Sequence, residues 1–257
     1  VRLARNRDWH TYALAYLSLG TLYMQLGNLP AAETLTSRAL RTARRRNLRA
    51  LEGAAYHNLF VLAAERGEYG QAQDYAGRAL SRYGKHHPRV PYLAYDLGCV
   101  WFLCGRFHEA FPVLRAVLPH IPDTVERPML LANVARAAAG AGNRQAFHQY
   151  WTQSVEAAAA HGEHAAIAQA WLNLARGAIS VQEPGLAEVA ALQAGAIADR
   201  LRMGQIRIEA ESVLHCARTG GLLPQITDSR ERNELARRTA EMAHRMISAL
   251  EPLGATG

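Results

Sequence analysis

Large apolar side chains recur at helical spacing along the chain, and each such stretch ends in a short glycine-led turn. The stretch from Tyr16 to Tyr23 has this spacing, and the turn that follows it begins at Gly27. Similar turns begin at Gly67, Gly105 and Gly142, at successive intervals of 40, 38 and 37 residues. A nearly constant interval of this length is the sequence signature of a repeat architecture.

Each interval predicts two antiparallel helices joined by the turn. Glycine is favoured at the end of the first helix because it adopts the left-handed conformation at little cost. Pro30 suits the first turn of the second helix, where its missing N–H is harmless. Small residues seven apart, such as Ala32 and Ala39, let a neighbouring helix approach closely. Since one helix pair cannot bury its apolar face alone, the pairs are predicted to stack into an all-α solenoid.

Two further units are less clearly marked. A fifth is indicated by Trp171 and Leu174, with Gln182 at the position of the turn glycine, and a sixth by Val213 and Gly220. We therefore predict a single repeat domain over residues 1–257. Its six units are expected at about 8–48, 49–86, 89–122, 124–161, 163–202 and 204–250.

A C-terminal capping helix is predicted over residues 229–250. This segment carries many arginines and glutamates, and Asp228 or Ser229 can serve as its N-cap. A terminal repeat needs a polar outer face, and the charged residues of this helix would supply one.

At these residues the chain resembles the tetratricopeptide repeat (TPR) family. The resemblance is carried by Tyr16, Leu19, Gly20, Tyr23, Ala32 and Ala39, and again by Leu97, Gly98, Trp101, Gly105, Ala110 and Pro122. Phe60 and Phe147 depart from the pattern, because each stands where the family has a small residue. The resemblance implies a right-handed superhelix of about six helix pairs. The period, longer than the usual ~34 residues, is similar to that of repeats in bacterial transcription regulators and signal-transduction ATPases.

The net charge of +7 lies at one end of the chain. Residues 1–49 contain nine arginines and two acidic residues, whereas basic and acidic residues balance over the rest. Arg38, Arg41, Arg44 and Arg45 form a candidate anion or nucleic-acid patch, since clustered cations attract phosphates. Aromatic side chains for base stacking are missing from residues 33–49. A solvated face, or docking of an acidic partner, is therefore favoured, and a nucleic-acid-associated regulator is the alternative.

Motifs for catalysis are absent from the sequence. It contains neither a G-x-x-x-x-G-K-[ST] phosphate loop nor a G-x-S-x-G nucleophile elbow. His161 and His164 flank Gly162 in an expected loop, which disfavours a preformed metal site. Cys99 and Cys104 are five apart and do not form C-x-x-C. We therefore predict no catalytic centre, no metal and no cofactor.

Location is predicted from apolar runs and cysteines. No apolar run approaches the roughly 20 residues that span a bilayer, and the N-terminus lacks the apolar stretch of a signal peptide. The chain has three cysteines, too few for a disulfide framework. These features predict a cytoplasmic protein with no membrane partner.

A column of polar residues recurs one position before a leucine-type residue of each first helix. It contains Ser18, Asn58, Asp96, Asn133, Asn173 and Ser212. Asn and Asp are poor formers of mid-helix structure, so their recurrence needs another reason. In the TPR family this column faces a concave groove, where amides bind the backbone of an extended peptide. An amide suits that task because it both donates and accepts hydrogen bonds.

A second column, three residues further on, contains Thr21, Val61, Cys99, Arg136, Arg176 and His215. With Asn133 and Asn173 these arginines repeat the pattern N-x-A-R in adjacent units. Two neighbouring guanidiniums would suit a carboxylate or phosphate of a ligand.

The apolar half of the groove is expected to include His57, Tyr92, Tyr95 and Phe102. In the other interpretation, the polar columns only solvate an empty concave face and the arginines pair with Asp96 or Glu211. We predict a non-catalytic scaffold that holds a protein or peptide segment in the groove. The resemblance implies a sensory or assembly module of a bacterial regulatory protein.

Overall fold

The computed structural model describes residues 8–221 and 232–251, with side chains from residue 237 onward in the second range. Over these residues the chain is all-α, as predicted, and no strand occurs. The helices are α1 Trp9–Gln25, α2 Leu29–Arg45, α3 Arg49–Glu65, α4 Tyr69–Tyr83, α5 Val90–Leu103, α6 Phe107–Val117, α7 Arg127–Gly140, α8 Arg144–Ala159, α9 Ala165–Ser180, α10 Pro184–Arg200, α11 Gly204–Thr219 and α12 Arg232–Leu250. A 3₁₀ turn, Leu118–His120, follows α6.

The predicted turn residues have the backbone conformation that the helix ends require. Gly27, Gly67, Gly105 and Gly142 have φ angles of 73°, 74°, 71° and 76°. Gln182, at the position of the fifth turn glycine, also adopts a positive φ, 60°. The following helices begin with side-chain caps in two cases, since Asn28 and Asn143 accept hydrogen bonds from Ala31 N and Ala146 N.

The described chain forms two compact units. Among the described residues, one unit comprises 8–100 and 232–251, and the other comprises 101–221. The division into six repeat units within a single domain stays a prediction.

One part of the first unit consists of α1, α2 and α3. Its core contains Tyr12, Ala13, Tyr16, Leu17, Ala39, Ala43, Leu51 and Ala55, and Leu35, Leu40, Leu48 and Ala54 pack against this core. Ala32 and Ala39 of α2 are fully buried. Small side chains on the second helix of the pair therefore allow the close helix packing that the sequence predicts.

The end of α4 packs closely on α3. A Cβ atom at Gly53 would lie only 2.6 Å from Cδ1 of Tyr83, so glycine is needed for this contact. The Tyr83 ring also stacks on His87, with ring centroids 4.5 Å apart. Burial raises the pKa of Tyr83 to about 12, against an opposing effect of the Arg89 charge.

Tyr83 is expected to make stability fall at alkaline pH. Because the folded state holds the phenol neutral, its contribution is complete below about pH 10 and is lost as pH rises toward about 12. We expect the free energy of unfolding to fall by about 2 kcal/mol between about pH 8 and about pH 11.5. Urea unfolding at several pH values measures this. The fall should be much smaller in Tyr83→Phe and unchanged in Tyr23→Phe; identical profiles for all three proteins would refute it.

The C-terminal helix α12 packs against α4, a position that its sequence does not indicate. Thr239 Oγ1 donates to Gln73 Oε1 at 3.0 Å, and Arg238 pairs with Asp74. Met242 is buried beside Gly77. The N-cap predicted at Asp228 or Ser229 lies outside the described residues. The described part of α12 thus contacts the second hairpin of the first unit.

The second unit contains successive hairpins in which aromatic rings pack on glycines. Phe107 packs against Gly140 of α7, and Phe147 packs against Gly177 of α9. A Cβ at Gly177 would lie 2.9 Å from the Phe147 ring. Phe147 is fully buried although the family pattern has a small residue there. Gly177 provides the space for this large side chain.

Candidate functional site

The two polar columns of the sequence meet in the structure, hairpin to hairpin. In the first unit Asn58 Nδ2 donates to Thr21 Oγ1 at 3.2 Å. In the second unit Arg136 Nη1 donates to Asn173 Oδ1 at 3.1 Å. Both pairs are separated by 37 residues in sequence. A first-column residue of one hairpin therefore contacts a second-column residue of the preceding hairpin in each unit.

The asparagines of the second unit are buried and bonded to each other. Asn173 Nδ2 donates to Asn133 Oδ1 at 2.6 Å, and each residue is only 4% exposed. Together with Arg136 they form a continuous chain of hydrogen bonds between α7 and α9. A buried polar group needs such a partner, so these amides help to hold the two helices in register.

The two arginines of the N-x-A-R pattern have separate partners. The guanidinium of Arg136 lies over the Phe102 ring, 4.7 Å from its centroid, which is a cation–π contact. Arg176 Nη2 donates to Glu209 Oε2 at 2.8 Å. The Glu211 carboxylate, which the alternative interpretation offers to the arginines, lies 3.8 Å from Arg207. Arg136 and Arg176 are both partly exposed.

A groove opens between α1 and α3 in the first unit; we call it the α1–α3 groove. It has a volume of about 220 Å³ and is lined by Leu14, Leu17, Ser18, Thr21, Ala50, Leu51, Ala54, Asn58, His87 and Arg89. Leu14 is 43% exposed. The groove therefore combines an apolar floor with polar-column residues and one guanidinium. The polar columns of the sequence include Asn58 but neither His87 nor Arg89.

Four further residues predicted for the groove lie elsewhere in the first unit, whereas Phe102 lies in the second unit. His57 Nε2 lies 2.8 Å from Asp96 Oδ2, and the His57 ring contacts Phe60. Tyr92 is exposed and Tyr95 is half-buried. His57, Asp96 and the two tyrosines are not part of the described lining of the α1–α3 groove.

The candidate basic patch is divided between internal partners and solvent. Arg38 lies over the Tyr16 ring at 4.9 Å, and Arg44 lies 3.8 Å from Glu52. Arg41 and Arg45 are exposed.

Glu52 is a buried carboxylate that sequence reasoning missed. It is 4% exposed, and Arg82 Nε lies 3.1 Å from its Oε1. In the sequence, its burial is indicated only by its position among the apolar residues of α3. Arg44 and Arg82 supply the positive charges that a buried carboxylate needs.

The loop that contains His161 and His164 contributes a helix cap. His164 Nδ1 accepts a hydrogen bond from Ala166 N at 3.1 Å, at the start of α9. In the part of the chain that the structure describes, no group of three or more His, Cys, Asp or Glu side chains is arranged to hold a metal ion. Within the same part, no helix is long and apolar enough to cross a membrane.

Two solved structures share the fold. The nearly identical TPR-like repeats of a kinesin light chain candidate from Podosopora anserina have 18% identity and a TM-score of 0.59, over 74% of this chain and 95% of that chain. Pseudomonas aeruginosa PilF has 18% identity and a TM-score of 0.54, over 90% of this chain and 99% of that chain. No protein-family model and no curated protein sequence matches. The likeness confirms a TPR-type fold.

Proposed function

We propose that this protein is a non-catalytic scaffold that binds an extended segment of a partner protein in the α1–α3 groove. The observation that carries the proposal is the groove itself, where an exposed leucine lies beside a column of polar side chains. Peptide recognition commonly combines apolar pockets with groups that bond the backbone. The TPR-type fold supports the same class of function.

Each part of the groove suits one part of an extended peptide. Leu14 and Leu17 offer contact to an apolar side chain. The Asn58 amide donates one hydrogen bond to Thr21 and retains an acceptor oxygen and a second N–H that suit a peptide backbone.

The charge of the groove favours an acidic segment. Arg89 has no carboxylate partner among the residues that the structure describes. A carboxylate on the bound peptide would form a charge-assisted hydrogen bond with this guanidinium. The excess of arginine over acidic residues in the first 49 positions would attract the same partner.

In the second unit, Asn133, Arg136, Asn173 and Arg176 remain proposed partner contacts. Because the two amides are buried, we assign the contact itself to the partly exposed guanidiniums and the positioning to the amides.

We further propose that the protein acts as a sensory or assembly module of a bacterial regulatory protein, on the strength of the TPR resemblance and the long repeat period.

Peptide selection followed by affinity measurement tests the groove. Peptides selected from a displayed random library on the wild-type chain should bind Leu14→Glu at least about tenfold more weakly, because a charge replaces the apolar contact and repels an acidic peptide. Asn58→Ala should weaken binding by a smaller factor. Ile208→Glu, which changes a leucine-sized side chain 59% exposed in the second unit, is the matched control. Equal affinity for wild type and Leu14→Glu would rule out this groove.

A further inference from the structure

A second, larger cleft lies between α4 and α12 within the first unit; we call it the α4–α12 cleft. Its volume is about 590 Å³, within the range of small-molecule sites. It is lined by Tyr56, Gln73, Asp74, Gly77, Arg78, Ser81, Arg82, Arg238, Glu241, Met242 and Arg245. It shares no lining residue with the α1–α3 groove.

The arginines of the α4–α12 cleft fall into two classes. Arg82 is 3.1 Å from the buried Glu52, and Arg238 pairs with Asp74. Arg78 lies over the Tyr56 ring at 5.8 Å, and Arg245 has no ion pair with any described carboxylate. Glu241, the remaining acidic lining residue, is 3.9 Å from Arg237.

The guanidiniums of Arg78 and Arg245, which form no ion pair with a described carboxylate, approach the same turn of α4. A Cβ at Gly77 would lie 3.9 Å from Arg245 Nη1, so Arg245 reaches from α12 to the residue beside Arg78. Ser81 is four residues after Gly77 and lines the same cleft. Two cations from different helices therefore face one space that also contains a hydroxyl group.

We propose that the α4–α12 cleft binds a small molecule that bears a phosphate group, held between Arg78 and Arg245. A phosphate carries close to two negative charges at neutral pH, which matches the two guanidiniums that pair with no described carboxylate. Guanidinium groups bind phosphate oxygens through paired N–H donors, and the Ser81 hydroxyl can donate a further hydrogen bond. The ligand would bridge α4 and α12 and relieve the repulsion between their arginines.

Titration calorimetry of the full chain with inorganic pyrophosphate tests this proposal. Wild type should bind, and Arg78→Gln and Arg245→Gln should each weaken binding at least about tenfold. Arg218→Gln is the matched control, because it removes the same charge from an exposed arginine that pairs with Glu188 in the second unit. Pyrophosphate should also slow amide hydrogen exchange in residues 239–250 of the wild type and leave it unchanged in Arg245→Gln.

Three outcomes would overturn the proposal. They are no binding of pyrophosphate to wild type, equal binding by wild type and Arg78→Gln, and tighter arginine-dependent binding of a phosphate-free polyglutamate peptide. Circular dichroism identifies a variant that does not fold. Such a variant is replaced by Ser81→Ala, which keeps all charges and should weaken binding by a smaller factor. Peptide binding to the α1–α3 groove should be the same in Arg78→Gln and wild type, so this proposal and the proposed function fail separately.

Discussion

Phe147→Ala is expected to destabilise the second compact unit by about 3–5 kcal/mol, the cost typical of removing a buried aromatic ring. Phe147 is fully buried, with a relative exposure to solvent of 0%. Its ring contacts Trp151, with centroids 5.6 Å apart, and packs on Gly177. The substitution would leave a cavity between α8 and α9 that surrounding residues fill only partly.

Urea unfolding of the full chain measures this loss. Tryptophan fluorescence reports mainly on the second unit, because Trp101, Trp151 and Trp171 lie in it and only Trp9 lies elsewhere. Val189→Ala is the control, since Val189 is 52% exposed and should change stability by less than about 0.5 kcal/mol. A loss for Phe147→Ala no larger than that of Val189→Ala would contradict the packing described here.

The packing of Phe147 on Gly177 predicts an interaction between the two sites. Gly177→Ala alone is expected to cost about 1–3 kcal/mol through crowding, offset in part by the better helix propensity of alanine. In the Phe147→Ala background the crowding by the ring is gone and the contact with Arg136 Cα, at 3.3 Å, remains, so Gly177→Ala should cost less. A double-mutant cycle measures the difference. Strictly additive losses would show that the ring does not need the glycine.

Asn173→Ala is expected to destabilise the second unit by about 2–4 kcal/mol. It removes the acceptor of one Arg136 hydrogen bond and the donor that lies 2.6 Å from the buried Asn133 oxygen. Loss of a hydrogen bond at a buried polar group costs about 1–3 kcal/mol. The same urea unfolding experiment measures the effect.

Asn58→Ala is the matched control for Asn173→Ala. Asn58 occupies the same column but is only partly buried and makes its hydrogen bond to Thr21 at 3.2 Å. We expect a loss of about 1 kcal/mol or less, because water can replace that bond. Equal losses for the two variants would mean that burial of the second-unit amides adds no stability.

Much of the fold follows from local sequence chemistry. Glycine at Gly27, Gly67, Gly105 and Gly142 ends a helix in each case, and Gln182 takes the same backbone region because the chain must turn there. The contact between the two polar columns also follows from the sequence. A nearly constant repeat length brings equivalent positions of adjacent hairpins together, as Asn58 with Thr21 and Asn173 with Arg136.

The character of the candidate sites was only partly predictable. The sequence indicates which asparagines and arginines share a face, but hydrogen-bond partners depend on distances of a few tenths of an ångström between helices. Asn133 and Asn173 thus proved to be buried and bonded to each other, and Arg176 to pair with Glu209. His87 and Arg89 enter the α1–α3 groove from a segment without repeat signals.

The sequence by itself determined the helical hairpins, their turns and the columns that face one another, because these depend on interactions between residues close in the chain or one repeat apart. Only the tertiary structure decided that α12 packs on α4 and so creates the α4–α12 cleft. It also decided that Phe147 is accommodated by Gly177. Both results depend on the matching of side-chain shapes and charges across helices, and no periodic pattern in the chain encodes that matching.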